Sequence, residues 1–232
     1  MSSFTLQSHI SDIVTSIPQT ADLFRSLRID FCCGGRVPLQ EAAMQLQLDP
    51  VDVLEKVHSI EVKFENYQES RPASWKESEL ISYIQQKHHE FLREELPALT
   101  PYVTKLARVH GERHSELIRV QELFTDLKME LLDHTQDEDE HVFPLILKFI
   151  DQPNHQTAAA LMPHVSELEH EHAHAGSLLQ EIREVTADFK LPEDACGTYQ
   201  LVYKRLAMLE KDIFEHIHLE NNVLFERIRA AI

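Results

Sequence analysis

Apolar residues recur at steps of three and four over four stretches of roughly 30 residues each, and no other feature constrains the fold as tightly. The stretches span about 77 to 109, 112 to 149, 155 to 187 and 194 to 229. Each makes a helix of roughly 45 Å at 1.5 Å per residue. Long helices with short connections fold as an antiparallel up-down four-helix bundle. An all-α fold is therefore expected, and the scarcity of glycine, 5 residues against 43% hydrophobic, points the same way. Pro97 and Pro101 are expected to kink the first long helix.

A smaller helical unit precedes the bundle, over residues 1–65. Ile10, Ile13, Val14 and Ile17 suggest a short amphipathic helix ended by Pro18. Ala21, Leu23, Phe24 and Leu27 suggest a second, and Leu39, Ala42, Ala43 and Leu46 a third. Asp49-Pro50 marks the start of a fourth, with Asp49 as its cap. So few residues bury little surface, and the unit is expected to lean on a partner or on the rest of the chain. Residues 66–76 lose the periodicity and read as a linker, which leaves 77–232 for the bundle.

The bundle seams carry an anomaly. In the second helix Leu117, Val120, Phe124, Leu127 and Leu131 lead without a break into His134 and Glu138. In the fourth, Val202, Leu206, Leu209 and Ile213 lead into His216 and Glu220. The third seam places His172 between Leu168 and Ala175, and the first places His89 ahead of Leu92, Leu96 and Leu99. Fifteen His in one chain supply roughly two His-x-x-x-Glu pairs by chance, so spacing alone is weak. Position carries the weight, because burying four imidazoles and two carboxylates on core seams is costly without a partner. Two metal ions are the simplest partner. Six ligands exceed one closed tetrahedral site but suit two ions, each with two His, bridged by the two Glu and an oxo or hydroxo group. Mixed imidazole and carboxylate ligation favours iron, with manganese and zinc as alternatives.

Other histidines read as ordinary. His9, His58, His88, His155 and His164 are expected on the surface or in loops. His170, His174 and His218 are expected to turn away from the seam positions beside them. His110, His114 and His141 are weaker candidates for a channel or outer shell. Glu130, Glu171 and His110 are the candidates for holding the ligand imidazoles from behind. Cys32 and Cys33 are adjacent within Asp30-Phe31-Cys32-Cys33-Gly34-Gly35, so a bridge between them would be strained. They read as thiols for metal, cluster or exchange chemistry, and Cys196 as a core residue. The net charge of -17 argues against nucleic acid and anionic membrane as partners. No stretch is apolar enough to span a bilayer, and a cytoplasmic protein is expected.

With these residues on the page, the chain resembles the repair-of-iron-centres, or ScdA-type, family of di-iron proteins. The resemblance covers about residues 4 to 228. It rests on Ile29-Asp30-Phe31-Cys32-Cys33-Gly34-Gly35, on His134-x-x-x-Glu138 with Phe143-Pro144, on Glu171-His172-Ala173-His174-Ala175-Gly176, and on the run from His216 to Phe225. Glu226 stands where that family often has Pro. The resemblance implies a hemerythrin-like bundle with metal ligands at His89, His134, Glu138, His172, His216 and Glu220. It further implies a non-haem di-iron centre that repairs iron–sulfur proteins damaged by nitric oxide or peroxide, by releasing iron to them or interacting with nitric oxide. Cys32 and Cys33 would then serve transfer, docking or dimerisation, the last as a homodimer. A hemerythrin-like module binding oxygen or nitric oxide, and a nitric-oxide or peroxide reductase, are the competing functions.

Overall fold

Helices account for nearly all of the regular structure, as the seam periodicity requires. The computed structural model describes residues 4–64 and 74–232, so most of the expected linker at 66–76 lies outside the described residues. Among the described residues the one extended pairing is an isolated bridge between His9 and Pro38. The chain forms two compact units, one of Met1–Ile81 with Phe214–Ile232 and one of Ser82–Ile213.

The second unit holds the long helices. α6 covers Glu90–His110, α7 Glu116–Asp137, α8 Phe143–Asp151 and α9 His155–Val185, while α10, Gly197–Leu219, begins in this unit and ends in the other. α7 packs against both α6 and α9, and α8 against α9. The predicted seam residues Leu96, Phe124, Leu127, Leu161, Val165, Leu206 and Leu209 are all buried, each contributing about 1.5–3 kcal/mol. α10 is tied to its neighbours by Arg205, which donates two hydrogen bonds to Glu95 (2.6 and 2.9 Å). The turn into α9 is fixed by Asn154, whose Oδ1 accepts from the amides of Gln156 (2.9 Å) and Thr157 (3.0 Å), a cap worth about 1 kcal/mol.

Among the described residues three π-helical turns interrupt the long helices, at Gln85–His89, Glu138–Val142 and Glu220–Leu224. Each inserts one residue into the helical register, so the seam can step by five and stay buried, as from Ile84 to His89. The irregularity in the first long helix therefore lies ahead of its prolines. The helix runs on through Pro97 and Pro101, both exposed, where water can satisfy the carbonyls that lose their donors. The same widened turn corrects the surface reading of His88. A π turn spreads its residues over a wider loop, so His88 and His89 both face inward, and His88 is fully buried with Nδ1 3.0 Å from Asp212.

The first unit comprises α1 (Ile10–Ser16), α2 (Thr20–Ser26), α3 (Leu39–Gln45), α4 (Pro50–Phe64), α5 (Glu77–Ile84, as far as Ile81), the end of α10 and α11 (Phe225–Ala230). Asp49 caps α4 by accepting from the Val51 amide (2.9 Å). The N-terminal residues find the surface they need on Phe214–Ile232. Ile10, Ile13 and Phe24 are fully buried, and the Phe31 ring meets Phe214 edge-on at 6.1 Å and His218 at 5.8 Å. His218 is held on both ring nitrogens. Its Nδ1–H donates to the Phe31 carbonyl (3.2 Å), and its Nε2 accepts from the Thr15 hydroxyl (3.1 Å).

Burial holds the His218 imidazole neutral, its pKa pulled down to about 4 against the opposing pull of the Phe31 carbonyl. The unfolded chain protonates this side chain near 6.5, so unfolding takes up a proton between about pH 6.5 and 4. The stability tied to His218 is complete above that window and is lost as pH falls through it. In urea unfolding with chelator present, wild type should lose roughly 1 kcal/mol per pH unit more than His218→Asn across this range. Parallel pH profiles would contradict the assignment.

Candidate metal centre

His134 near the end of α7 and Glu138, the first residue of the π turn that follows, stand four residues apart, one turn above the other on the buried face. His172 comes from the middle of α9 and His89 from the end of the first π turn. All four are buried, His89 and Glu138 completely. Glu138 Oε2 stands between two imidazoles, 3.2 Å from His134 Nε2 and 3.3 Å from His89 Nε2. His134 Nε2 is in turn 3.0 Å from His172 Nε2. The ligand atoms of His134, Glu138 and His172 lie within 4.8 Å of one another, as do those of His89 and Glu138. In the first unit His216 and Glu220, both fully buried, form a second such pair with Nε2 and Oε1 2.9 Å apart. Glu138 and Glu220 each open a π turn, and His89 closes one.

Groups behind the imidazoles decide which nitrogen faces inward. His134 Nδ1–H donates to Glu171 (2.6 Å), and that bond lowers the pKa of Glu171 despite partial burial. His89 Nδ1–H donates to Asp139 (2.9 Å), which also accepts from Arg93 (2.7 Å) and Gln85 (2.9 Å). Burial raises the Asp139 carboxyl, but His89, Arg93 and Gln85 together overcome it and hold it at about 2. Both carboxylates are thus charged at neutral pH, and each fixes its histidine with the lone pair on Nε2. Those lone pairs aim at the Glu138 carboxylate. With the rings neutral, the His89 and His134 Nε2 lone pairs face the Glu138 oxygen at 3.2 to 3.3 Å and repel it unless a cation sits among them. Nitrogen and oxygen donors of this kind fit a borderline divalent metal.

Sequence reasoning places Glu171 behind a ligand candidate but gives no role to Asp139. Its only signal was the pairing with Arg93 and Gln85 across the helices, which needs coordinates. Glu130 instead pairs with His174 (2.9 Å). His110 lies beside Cys196 Sγ (3.4 Å) and the Tyr199 ring. Cys196 is exposed, correcting the expectation of a core residue, because the chain enters α10 only at Gly197. His114 bridges Glu116 (3.2 Å) and Asp194 (3.1 Å), and the exposed His141 pairs with Asp137. Cys32 is buried and Cys33 exposed, with their sulfurs 3.5 Å apart in the first unit.

If a metal is what Glu138 exists to hold, the carboxylate is a burden to the metal-free protein. Metal-free Glu138→Leu should be as stable as metal-free wild type or about 1 kcal/mol more so, and should gain nothing from added ferrous iron. Thermal unfolding with and without iron measures this. A loss of about 3 kcal/mol or more without metal would mark Glu138 as a structural ion-pair member.

Two family models match the chain. One, named ScdA_N and described as a domain of unknown function, covers residues 6–61. The other, the hemerythrin HHE cation binding domain, covers residues 80–228. Among curated proteins, the iron-sulfur cluster repair protein ScdA of Staphylococcus haemolyticus is 38% identical, over 96% of this chain and 98% of its own length. The iron-sulfur cluster repair protein YtfE of Enterobacter sp. is 34% identical, and that of Escherichia coli O1:K1 / APEC 35%, each over 96% of both chains. No helix among the described residues is long and apolar enough to cross a membrane. The buried His and Glu clusters able to hold a metal fall inside the cation-binding match, and the chain belongs to the ScdA/YtfE family of iron–sulfur cluster repair proteins.

Proposed function

We propose that this protein repairs iron–sulfur clusters damaged by nitric oxide or oxidative stress, donating iron from a non-haem di-iron centre. His89, His134, Glu138, His172, His216 and Glu220 are the ligands, two imidazoles for each iron with Glu138 and Glu220 as bridges. The observation that carries this reading is the set of imidazole lone pairs turned onto Glu138, with Glu171 and Asp139 holding the ring hydrogens outward. Near-full-length similarity to proteins named for cluster repair supplies the direction of the chemistry. Residues 1–65 serve as a thiol-bearing domain, 66–76 as the linker and 77–232 as the metal-binding bundle. Cys32 and Cys33 take part in transfer to the client. The partners are damaged iron–sulfur proteins in the cytoplasm, with nitric oxide or oxygen species as small ligands, and the protein acts alone or as a homodimer.

When bound, the iron pair supplies releasable ferrous ions and redox chemistry. The chain's own contribution is to keep that release controlled. Charged Glu171 and Asp139 make the imidazoles stronger ligands, and Arg93 offsets the charge of Asp139 so that it holds His89 without competing for the metal. The buried apolar residues around the ligands exclude water. A hemerythrin-like role in binding oxygen or nitric oxide is the second reading, favoured by the family match over residues 80–228.

The test is iron transfer. Anaerobically purified protein should carry about two irons per chain and restore activity to an iron–sulfur enzyme inactivated by nitric oxide. His134→Leu and Glu138→Leu should abolish both. Two tightly held irons with no recovery of the client would favour gas binding, and zinc in place of iron would contradict the di-iron reading.

A further inference from the structure

The Asp30–Gly35 loop is built around a carboxylate. Asp30 Oδ1 accepts from the amides of Cys32 (2.9 Å) and Cys33 (3.0 Å), and Oδ2 accepts from the amide of Gly34 (2.7 Å). The two glycines permit this wrapping. A Cβ on Gly34 would stand 2.9 Å from Asp30 Oδ2, and one on Gly35 would stand 2.5 Å from the Phe31 carbonyl oxygen. The other side of the loop is gripped as firmly. Asn221 Nδ2 donates to the Cys32 carbonyl (3.2 Å), Asn222 Nδ2 donates to the same oxygen (2.8 Å), and His218 donates to the Phe31 carbonyl. Held in this way, both thiols and the carboxylate turn to one side.

Their spacing has a chemical meaning. Cys32 Sγ is 3.5 Å from Cys33 Sγ and 3.4 Å from Asp30 Oδ1, and the ligand atoms of all three lie within 4.8 Å. Bond lengths of about 2.3 Å to sulfur and 2.1 Å to oxygen place two sulfurs of a tetrahedral ion about 3.8 Å apart, and sulfur and oxygen about 3.6 Å apart. The observed separations match those edges within a few tenths of an ångström. A disulfide needs its sulfurs near 2.05 Å and is much further from the observed arrangement. Cys33 is exposed, so an ion on this edge can be reached from solvent.

We propose that Asp30, Cys32 and Cys33 form a second, single-ion site that takes up a thiophilic divalent cation, preorganised by the Asp30 hydrogen bonds and by Asn221 and Asn222. Binding forms two metal–sulfur bonds and one metal–oxygen bond, and the two thiol protons leave to solvent. The residues that grip the loop lie next to a proposed ligand pair on the chain: His218 is two residues past His216, and Asn221 directly follows Glu220. Ferrous iron as the physiological cargo rests on the repair reading; the site itself does not.

Cobalt(II) tests it, because only thiolate ligation produces sulfur-to-cobalt charge-transfer absorption. The full-length protein, metal-free, reduced and anaerobic, is titrated with cobalt(II). The expected band reports thiolate-bound cobalt alone and reaches its plateau at one such ion per chain, beyond the cobalt that the His and Glu clusters take up without a band, and it is lost in Cys33→Ser, which changes only an exposed side chain. Asp30→Asn keeps the oxygen that accepts from the Cys32 and Cys33 amides, gives up the charge and the acceptor for the Gly34 amide, and should weaken the thiolate-bound ion at least about tenfold. Absence of the band in wild type, saturation at one ion per two chains, or undiminished affinity in Asp30→Asn would each overturn the three-ligand site. Client recovery by the iron-loaded protein is followed in parallel. A band without recovery leaves the site standing and contradicts repair, whereas recovery without a band contradicts the site alone.

Discussion

Everything distinctive about this molecule follows from one repulsion. Imidazole lone pairs of His89 and His134 are turned onto the Glu138 carboxylate inside an apolar core, where acceptors at 3.2 to 3.3 Å have no water to separate them. A metal cation among these donors relieves the repulsion, and these groups are able to hold one. Surrounding groups are arranged to keep the repulsion in place rather than relieve it. Glu171 and Asp139 draw the ring hydrogens outward, and Arg93 keeps Asp139 ionised. In the second unit the long seams of leucine and valine supply the stability that lets the core tolerate His89, His134, Glu138 and His172.

The helices adapt to the buried His and Glu residues, and the π turns are how they do it. A ligand substituted into a regular seam must still face the interior while the residues beyond it return to packing. One inserted residue at each of His89, Glu138 and Glu220 achieves both. Glu138 opens a π turn whose far side delivers Val142 and Phe143 to the core, and the Phe143 ring stacks on His89 at 5.6 Å. In the first unit the turn opened by Glu220 presents Asn221 and Asn222 to the cysteine loop. A single register change thus positions a carboxylate and a pair of amide donors.

Much of this was legible in the sequence because helical periodicity is strong over 30 residues. The steps from Leu117 to Glu138 and from Val202 to Glu220 identified buried polar positions directly, and the four long helices followed from the same pattern. A π turn leaves no compositional mark. It appears only as a seam step of five, so His88 read as surface when the widened turn buries it against Asp212. Asp139 was illegible for a related reason, since its partners Gln85 and Arg93 are some 50 residues away in the chain. The small N-terminal unit showed its need for outside support by size alone, and only coordinates identified Phe214–Ile232 as that support.

The central claim is that these imidazoles and carboxylates bind an iron pair. X-ray absorption at the iron edge, on protein loaded anaerobically with two equivalents of ferrous iron, examines it most directly. The account predicts a first shell of nitrogen and oxygen, outer-shell scattering from about two imidazoles per iron, and a neighbouring iron. An iron without imidazole scattering, or without a second iron beside it, would contradict the account.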